Sequence, residues 1–189
     1  MGLGHPVSLA EDYERLCRTP SDIVNHLPRF VDLVQDLDAT SVIELGTRTG
    51  VSTIAWLHAL EYTGGRLTSV DIDAKPPIGD YDHWTFIQGD DLDPKVIERL
   101  APADIVFIDT SHHYLHTLSE LAAYLPLVRP GGRIVLHDTQ LRRPEGSPPR
   151  PLFPVRTAIK EFVAEHGFDW LEYPDCWGLG VISLGDPHG

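Results

Sequence analysis

The segment that most constrains the fold is 41–53, whose pattern is that of a buried strand, a glycine turn and the first turn of a helix. Residues 41–45 are mostly apolar and β-branched. Gly46 and Gly50 bracket the turn, and the hydroxyl of Ser52 follows where it can bond a helix amide that lacks a partner. Such a turn brings backbone N–H groups close to a ligand at the carboxyl end of a parallel strand.

The spacing of residues around this turn restricts the class of ligand that it can bind. Arg48 stands midway between Gly46 and Gly50, so the turn is not the G-x-G-x-x-G pattern of nicotinamide dehydrogenases. Two glycines alone could also form a purely structural turn. Asp71, however, ends the next predicted strand about 20 residues further on, the offset at which an acid reaches the ribose of a nucleoside. The combination favours a ligand that contains a nucleoside.

Strands and helices alternate along the chain. Two helices are predicted first, at 8–18 and 21–37, with Ser21 and Asp22 as caps of the second. Strands are then predicted at 41–45, 66–70, 83–87, 104–109, 133–138, 168–172 and 178–184, and helices at 51–62, 94–100, 113–128 and 155–166. This alternation predicts a parallel sheet covered by helices on both faces, with the last two strands close enough to pair antiparallel.

An acidic residue stands at or just after the end of each of the first five predicted strands. These residues are Glu44, Asp71, Asp90, Asp109 and Asp138. Ligands of open α/β sheets bind outside the carboxyl ends of the strands, so the five acids are expected to converge on one cleft. Any one of them could instead merely cap a helix.

Length, composition and charge limit the class of protein to which this chain can belong. A length of 189 residues, 42% of them hydrophobic, predicts one globular domain over 1–189, with N-terminal helices in 1–39 and a cofactor-binding core in 40–189. The net charge of −13 argues against nucleic acid or an anionic membrane as partner. Two cysteines are too few for a disulfide framework, and no leader or membrane-spanning run is evident, so a cytoplasmic location is expected.

The order of these motifs resembles that of the class I S-adenosylmethionine-dependent methyltransferases. The resemblance is greatest to small-molecule O-methyltransferases related to the macrocin and mycinamicin sugar methyltransferases, and to the cephalosporin hydroxylase-like proteins. The matching motifs are E-L-G-T-R-T-G at 44–50, V-D-I-D at 70–73, G-D at 89–90, D-T-S-H-H-Y at 109–114, and P-G-G at 130–132 leading to H-D at 137–138. The resemblance implies a three-layer, Rossmann-like α/β fold whose seven-stranded sheet is mostly parallel with an antiparallel last strand.

The resemblance also implies a cofactor, S-adenosylmethionine, and the residues that bind it. Asp71 would bind the ribose hydroxyls, Asp90 or Asp91 the adenine amino group, and Asp109 would lie beside the sulfonium. The full cofactor-binding set implied is Glu44, Gly46, Thr47, Arg48, Gly50, Ser52, Asp71, Asp90, Asp91 and Asp109.

His112 and Asp109 are the implied catalytic residues. His112 matches the base in the D-x-x-H pattern of the sugar methyltransferases, although it could instead cap the next helix or pack on Tyr114. Metal-dependent relatives place ligands at the positions of Asp109, His137 and Asp138, where His137 departs from the usual acid. Three alternatives stay open: Mg²⁺ held by the two aspartates and water, a softer ion such as Mn²⁺, Fe²⁺ or Zn²⁺, or no metal, with His137 as second base or substrate contact.

The expected function is that of an O-methyltransferase, EC 2.1.1.-, acting on a hydroxyl of a small molecule such as a natural-product sugar. The alternative is a cofactor-binding or hydroxylase-like partner protein of the same fold without methyl transfer. The loop 139–153, with Arg142, Arg143 and Arg150, is either a lid or a solvated connector. Trp177 is either core or a wall of the cleft. A neighbouring subunit could complete the site, as in a homo-oligomer.

Overall fold

The computed structural model describes residues 8–142 and 151–185. Helices are α1 (Leu9–Cys17), α2 (Leu27–Leu37), α3 (Val51–Glu61), α4 (Pro94–Ile97), α5 (Tyr114–Tyr124) and α6 (Pro154–His166). Strands are β1 (Ser41–Leu45), β2 (Arg66–Asp71), β3 (Trp84–Gln88), β4 (Ala103–Ile108), β5 (Val128–His137), β6 (Asp169–Tyr173) and β7 (Leu179–Ser183). Short 3-10 turns at Val24–His26 and Leu125–Leu127 lead into α2 and β5.

The strands form one seven-stranded sheet in the order β3-β2-β1-β4-β5-β7-β6. All neighbours are parallel except β7, which runs antiparallel to both β5 and β6. The predicted mostly parallel sheet with an antiparallel last strand is therefore confirmed. Leu45 is in register with Val70 on one side and with Ile108 on the other, so the carboxyl ends of β1, β2 and β4 are level.

Helices bury apolar residues on both faces of the sheet, as its apolar strands require. On one face Phe30 of α2 stacks on Trp56 of α3 with ring centroids 4.0 Å apart, and both rings lie against Phe107 of β4. A second cluster joins α5 and α6 to the opposite face. The two clusters hold the strand ends rigidly, and the loops at those ends carry the polar residues.

The bounds of four elements differ from the sequence predictions. Helix α4 ends at Ile97 instead of 100, and α5 ends at Tyr124 instead of 128. Helix α2 begins at Leu27 instead of 21, because a 3-10 turn precedes it and Asp22 pairs with Arg48 at 2.9 Å in place of capping the helix. Strand β5 begins at Val128 instead of 133. Its first part is bulged, since Ala103 pairs with Val128 while Ile105 pairs with Arg133.

Two sequence predictions, the lid and the single domain, are not tested by the structure. Residues 143–150 of the loop 139–153, which include Arg143 and Arg150, lie outside the described residues, so the lid is untested. The single domain over 1–189 likewise stays a prediction. Within 8–142 and 151–185, no helix is both long and apolar enough to cross a bilayer.

Candidate active site

A cleft of about 510 Å³ opens at the carboxyl ends of the central strands. Four of the five acids predicted to converge there do line it: Asp71, Asp90, Asp109 and Asp138. Of the other residues implied to bind a cofactor, the lining also includes Gly46, Thr47, Arg48, Ser52 and Asp91. Parallel strands ending at one level thus bring the predicted residues together.

Gly46 lines the cleft where the turn after β1 meets the residue that follows β4. Its φ of +86° is in the left-handed region, and a Cβ placed on it would lie 2.0 Å from the carbonyl oxygen of Asp109. Its N–H donates to the Val70 carbonyl at 2.8 Å. Only glycine permits this approach, which holds the turn after β1 directly against the residue that follows β4.

Asp71 is held at one end of the cleft by backbone amides. Its Oδ2 accepts hydrogen bonds from the Thr47 N–H at 2.6 Å, the Thr47 hydroxyl at 2.9 Å and the Arg48 N–H at 3.0 Å. Its Oδ1 accepts from the Asp73 N–H at 2.9 Å. Burial alone would raise the pKa of Asp71, but these bonds outweigh it and lower the pKa, so this carboxylate is permanently charged.

Glu44 does not reach the cleft, contrary to the expected convergence of five acids. Its side chain points under the first turn of α3, is fully buried, and accepts from the hydroxyls of Ser52 at 2.7 Å, Thr53 at 2.8 Å and Ser69 at 2.6 Å. Burial raises the pKa of Glu44 to about 7 despite these bonds. Glu44 therefore supports the turn from below.

Gly50 is also absent from the cleft lining. A Cβ added to Gly50 would lie 2.5 Å from the side chain of Ile78, so the residue packs against the loop after β2. Gly50 is the N-cap residue of α3 and has a φ of +83°. Its role in the structure is to turn the chain, not to face a ligand.

The other end of the cleft holds His112 between two carboxylates. Its Nε2 lies 3.1 Å from Asp109 Oδ1 and 2.8 Å from Asp138 Oδ2. His112 has a φ of +53° and Asp138 a φ of +61°, both left-handed. Such backbone strain is common at functional sites, and here it turns both side chains toward Asp109.

His137 lies behind this pair and is almost fully buried. Its Nε2 is 3.0 Å from the carbonyl oxygen of Cys176, and because a carbonyl only accepts, Nε2 carries the hydrogen. Its Nδ1 then faces Asp109 Oδ1 and Asp138 Oδ2, each at 3.5 Å. The structure thus brings together the three predicted metal ligands, Asp109, His137 and Asp138.

The two histidines and two aspartates at this end shift one another's pKa values. Burial would lower the pKa of both histidines, but Asp109 and Asp138 raise the pKa of His112 to about 9 and that of His137 to about 10. Burial would raise the pKa of both aspartates, but the two histidines lower it. Each carboxylate therefore favours a proton on the histidines, and each histidine favours the charged form of the carboxylates.

Sequence reasoning did not single out Glu120 of α5, and it predicted neither the contacts of His116 nor the surroundings of Asp91. His116 Nε2 lies 3.4 Å from Asp91 Oδ2 and 3.4 Å from Glu120 Oε1. Burial, together with Glu120, raises the pKa of Asp91 to about 7, and the bond to Glu120 raises the pKa of His116 to about 9. The available signal was the spacing of four residues, which places a histidine and an acid on one helix face.

The loop between β6 and β7 contacts the same end of the sheet. Cys176 and Trp177 have φ values of +44° and +65°, and the Gln140 N–H donates to the Trp177 carbonyl at 2.7 Å. The Trp177 side chain is 52% exposed, so the alternative that it belongs to the core is wrong. It is also absent from the residues that line the cleft.

The sequence model of the family described as "Methyltransferase domain" matches residues 43–139, just over half of the chain. The matched segment runs from β1 to the end of β5 and contains the cleft residues that follow those strands. This chain belongs to the methyltransferase domain family.

Curated relatives of this methyltransferase domain include two kinds of sugar O-methyltransferase. The Mycinamicin VI 2''-O-methyltransferase of Micromonospora griseorubida is 38% identical over 78 residues, which cover 39% of this chain and 19% of that protein. The Rhamnosyl O-methyltransferase of Mycobacterium leprae (strain TN) is 26% identical over 141 residues, which cover 69% of this chain and 60% of that protein. The chain thus spans less than two thirds of the length of both relatives.

Solved structures show the same fold. The MycE methyltransferase of the mycinamycin pathway, in complex with Mg, SAH and mycinamycin VI, superposes with a TM-score of 0.71 at 23% identity, covering 100% of this chain and 57% of that chain. The O-methyltransferase from Bacillus cereus in complex with SAH gives a TM-score of 0.67 at 20% identity, covering 96% and 92%. These matches confirm the predicted Rossmann-like methyltransferase fold.

Proposed function

We propose that this chain is an S-adenosylmethionine-dependent O-methyltransferase that acts on a hydroxyl group of a small molecule. The observation that carries the proposal is a single cleft that has Asp71 at one end and the Asp109–His112–Asp138 group at the other. Family membership supports methyl transfer, and the names of the relatives favour a sugar of a natural product as acceptor. An acceptor of that kind offers the hydroxyl that the reaction needs.

The charge of the cleft suits a cationic cofactor. Its described lining includes Asp22, Asp71, Asp73, Asp90, Asp91, Asp109 and Asp138. Among those lining residues Arg48 is the one side chain with a permanent positive charge, and it pairs with Asp22. An excess of carboxylates raises the local concentration of a cation such as a sulfonium.

The carboxylates have different assignments along the cofactor. Asp71 Oδ1 accepts one amide hydrogen bond, so it retains lone pairs for the ribose hydroxyls. Asp90 is exposed in the cleft and is assigned to the adenine amino group, because the carboxylate of Asp91 is directed to His116. The turn at Gly46 would pass beneath the methionine part, next to Asp109.

His112 is assigned as the base that takes the proton of the acceptor hydroxyl. Methyl transfer is an in-line displacement, and an alcohol becomes an adequate nucleophile only as its proton leaves. Asp109 and Asp138 raise the pKa of His112 to about 9, which favours a protonated ring. A positive charge on these two carboxylates would weaken their attraction for that proton and would return the pKa of His112 toward its ordinary value.

The donors Asp109, His137 and Asp138 fit a divalent metal. The Cys176 carbonyl accepts the hydrogen bond of His137 Nε2–H and so directs Nδ1 toward Asp109 and Asp138. Nδ1 can then either carry a proton or serve as a metal ligand. One nitrogen and two oxygen donors suit Mn²⁺, Fe²⁺ or Zn²⁺ better than Mg²⁺. Such an ion, when bound, supplies a Lewis acid that orients the acceptor hydroxyl and lowers its pKa.

The experiment that tests the proposal is a calorimetric titration with S-adenosylmethionine and S-adenosylhomocysteine, with and without Mg²⁺ or Mn²⁺. We expect micromolar binding of both compounds. No binding of either would refute the methyltransferase assignment. Tight binding with no turnover on any hydroxylated acceptor would favour the alternative, a cofactor-binding module of the same fold.

A further inference from the structure

Asp91, His116 and Glu120 form a second cluster of ionisable side chains on the cleft wall, the α5 cluster. Asp91 follows β3, while His116 and Glu120 stand four residues apart on one face of α5. His116 Nε2 lies 3.4 Å from one oxygen of each acid, and the three donor atoms lie within 4.8 Å of one another. None of these residues belongs to the Asp109–His137–Asp138 group.

Glu120 provides an independent observation, because one of its buried carboxylate oxygens has no hydrogen-bond donor in the described part of the chain. It is fully buried, and its Oε1 accepts from the Thr110 hydroxyl, but its Oε2 forms no hydrogen bond with any residue in 8–142 or 151–185. The buried Oδ2 of Asp91 also forms no hydrogen bond within the described residues, although His116 Nε2 lies 3.4 Å from it. A buried carboxylate oxygen with no donor is costly, and one imidazolium balances only one of the two acids.

We infer that the α5 cluster binds a divalent transition-metal ion of the Zn²⁺ and Mn²⁺ class. In a tetrahedral zinc site with bonds of about 2.0–2.2 Å, neighbouring donor atoms lie roughly 3.3–3.6 Å apart. Both distances from His116 Nε2, 3.4 Å each, fall in that interval before any ion is placed. One imidazole with two carboxylates is a common donor set for Zn²⁺, with water in the fourth position.

An ion could reach the α5 cluster from the cleft, and its binding would link two elements of the fold. Asp91 and His116 both line the cleft, so the site opens to solvent there, while Glu120 forms its buried floor. A bound ion would tie the loop after β3 to the middle of α5. The inference does not depend on methyl transfer, because the proposed function assigns the adenine amino group to Asp90 and gives none of these three side chains a role in the reaction.

The test is calorimetric titration of the chelator-treated full chain with Zn²⁺ in the absence of cofactor. We expect about two equivalents in the wild type, one for each cluster, and about one in Glu120→Gln. Glutamine has nearly the shape of glutamate and can still accept from the Thr110 hydroxyl. His116→Gln is the second variant, and its matched control is His113→Gln, which changes an exposed neighbour outside the cluster.

The variant Asp138→Asn isolates the α5 cluster by disabling the other one. In that background Zn²⁺ should still bind about one equivalent and raise Tm, since binding to the folded state stabilises it. Adding Glu120→Gln should abolish both effects. Unchanged stoichiometry in Glu120→Gln and His116→Gln, or a single equivalent that Asp138→Asn removes, would overturn the inference. Cofactor titration of the same samples tests the proposed function separately.

Discussion

The two ends of the cleft use the same side chain, aspartate, in opposite ways. Asp71 is surrounded by amide and hydroxyl donors that cannot change charge, so its state is the same at every physiological pH. Asp109 and Asp138 face two histidines whose protons can leave. The first arrangement suits holding a ligand, and the second suits moving a proton. The contrast shows that partners, more than acid identity, decide what each strand end does.

The largest expected effect is at the end with the histidines. His112→Asn should lower kcat by about 10²–10⁴-fold, the usual contribution of a general base, and leave the Kd for S-adenosylhomocysteine within about threefold. Asparagine is chosen because it tolerates the φ of +53° at this position. The effect is measured as the rate of S-adenosylhomocysteine release in the presence of a glycoside acceptor that the wild type methylates.

The matched control is His113→Asn, which alters an exposed neighbour and should leave kcat unchanged. If kcat survives His112→Asn, or if cofactor affinity falls as much as kcat, His112 is not the base. Either result would remove the contrast between a binding end and a reacting end.

The second prediction concerns Glu44, the acid under the end that holds Asp71. Burial raises the pKa of Glu44 from 4.5 to about 7. The folded state therefore binds this proton more tightly than the unfolded state. The stabilisation is complete below pH 4.5 and is lost as pH rises through about 7, by roughly 3 kcal/mol at most.

Chemical denaturation of the wild type and Glu44→Gln between pH 4.5 and 8 measures this loss. The difference in unfolding free energy between the two proteins should change in favour of Glu44→Gln as pH rises. Glu98→Gln, at an exposed position, is the control and should show no such change. A wild-type curve parallel to that of Glu44→Gln would mean that Glu44 is ionised at no cost, with the three hydroxyls compensating its burial.

The third prediction tests Asp71 itself. Asp71→Asn should weaken S-adenosylhomocysteine binding by about 2 kcal/mol, or roughly 30-fold, the scale of a lost charge-assisted contact. Asp82→Asn is the control, because it changes an exposed acid that is not among the residues lining the cleft. Unchanged affinity in a folded Asp71→Asn would remove Asp71 from the cofactor site.

How far this comparison could be predicted from sequence depends on the kind of contact. The strand ends carrying Asp71, Asp109 and Asp138 were predictable, because parallel strands end at one level and short motifs mark those ends. Glu44 was not, since its direction depends on hydroxyls contributed by both α3 and β2. Side-chain alternation within one short strand does not reveal such a partner.

The orientation of the histidines was beyond sequence reasoning for a similar reason. The partner of His137 is a backbone carbonyl 39 residues further along the chain. A carbonyl is present at every residue, so no residue type marks the one that matters. The left-handed backbone of His112 is likewise produced by tertiary contacts and carries no local signal such as glycine.

The smallest effect predicted is a metal preference at the Asp109–His137–Asp138 group. It sharpens the comparison because this group contains an imidazole nitrogen, whereas the partners of Asp71 are amides and a hydroxyl. In the Glu120→Gln background, which disables the α5 cluster, Mn²⁺ should bind about tenfold more tightly than Mg²⁺ by calorimetry. His137→Glu replaces the nitrogen with oxygen and should bring the two affinities closer together. Equal affinities for both ions before that substitution would mean that Nδ1 of His137 is not a ligand. The two aspartates would then act with water alone, and the Cys176 carbonyl would serve only to hold the histidine as a hydrogen-bond partner of Asp109.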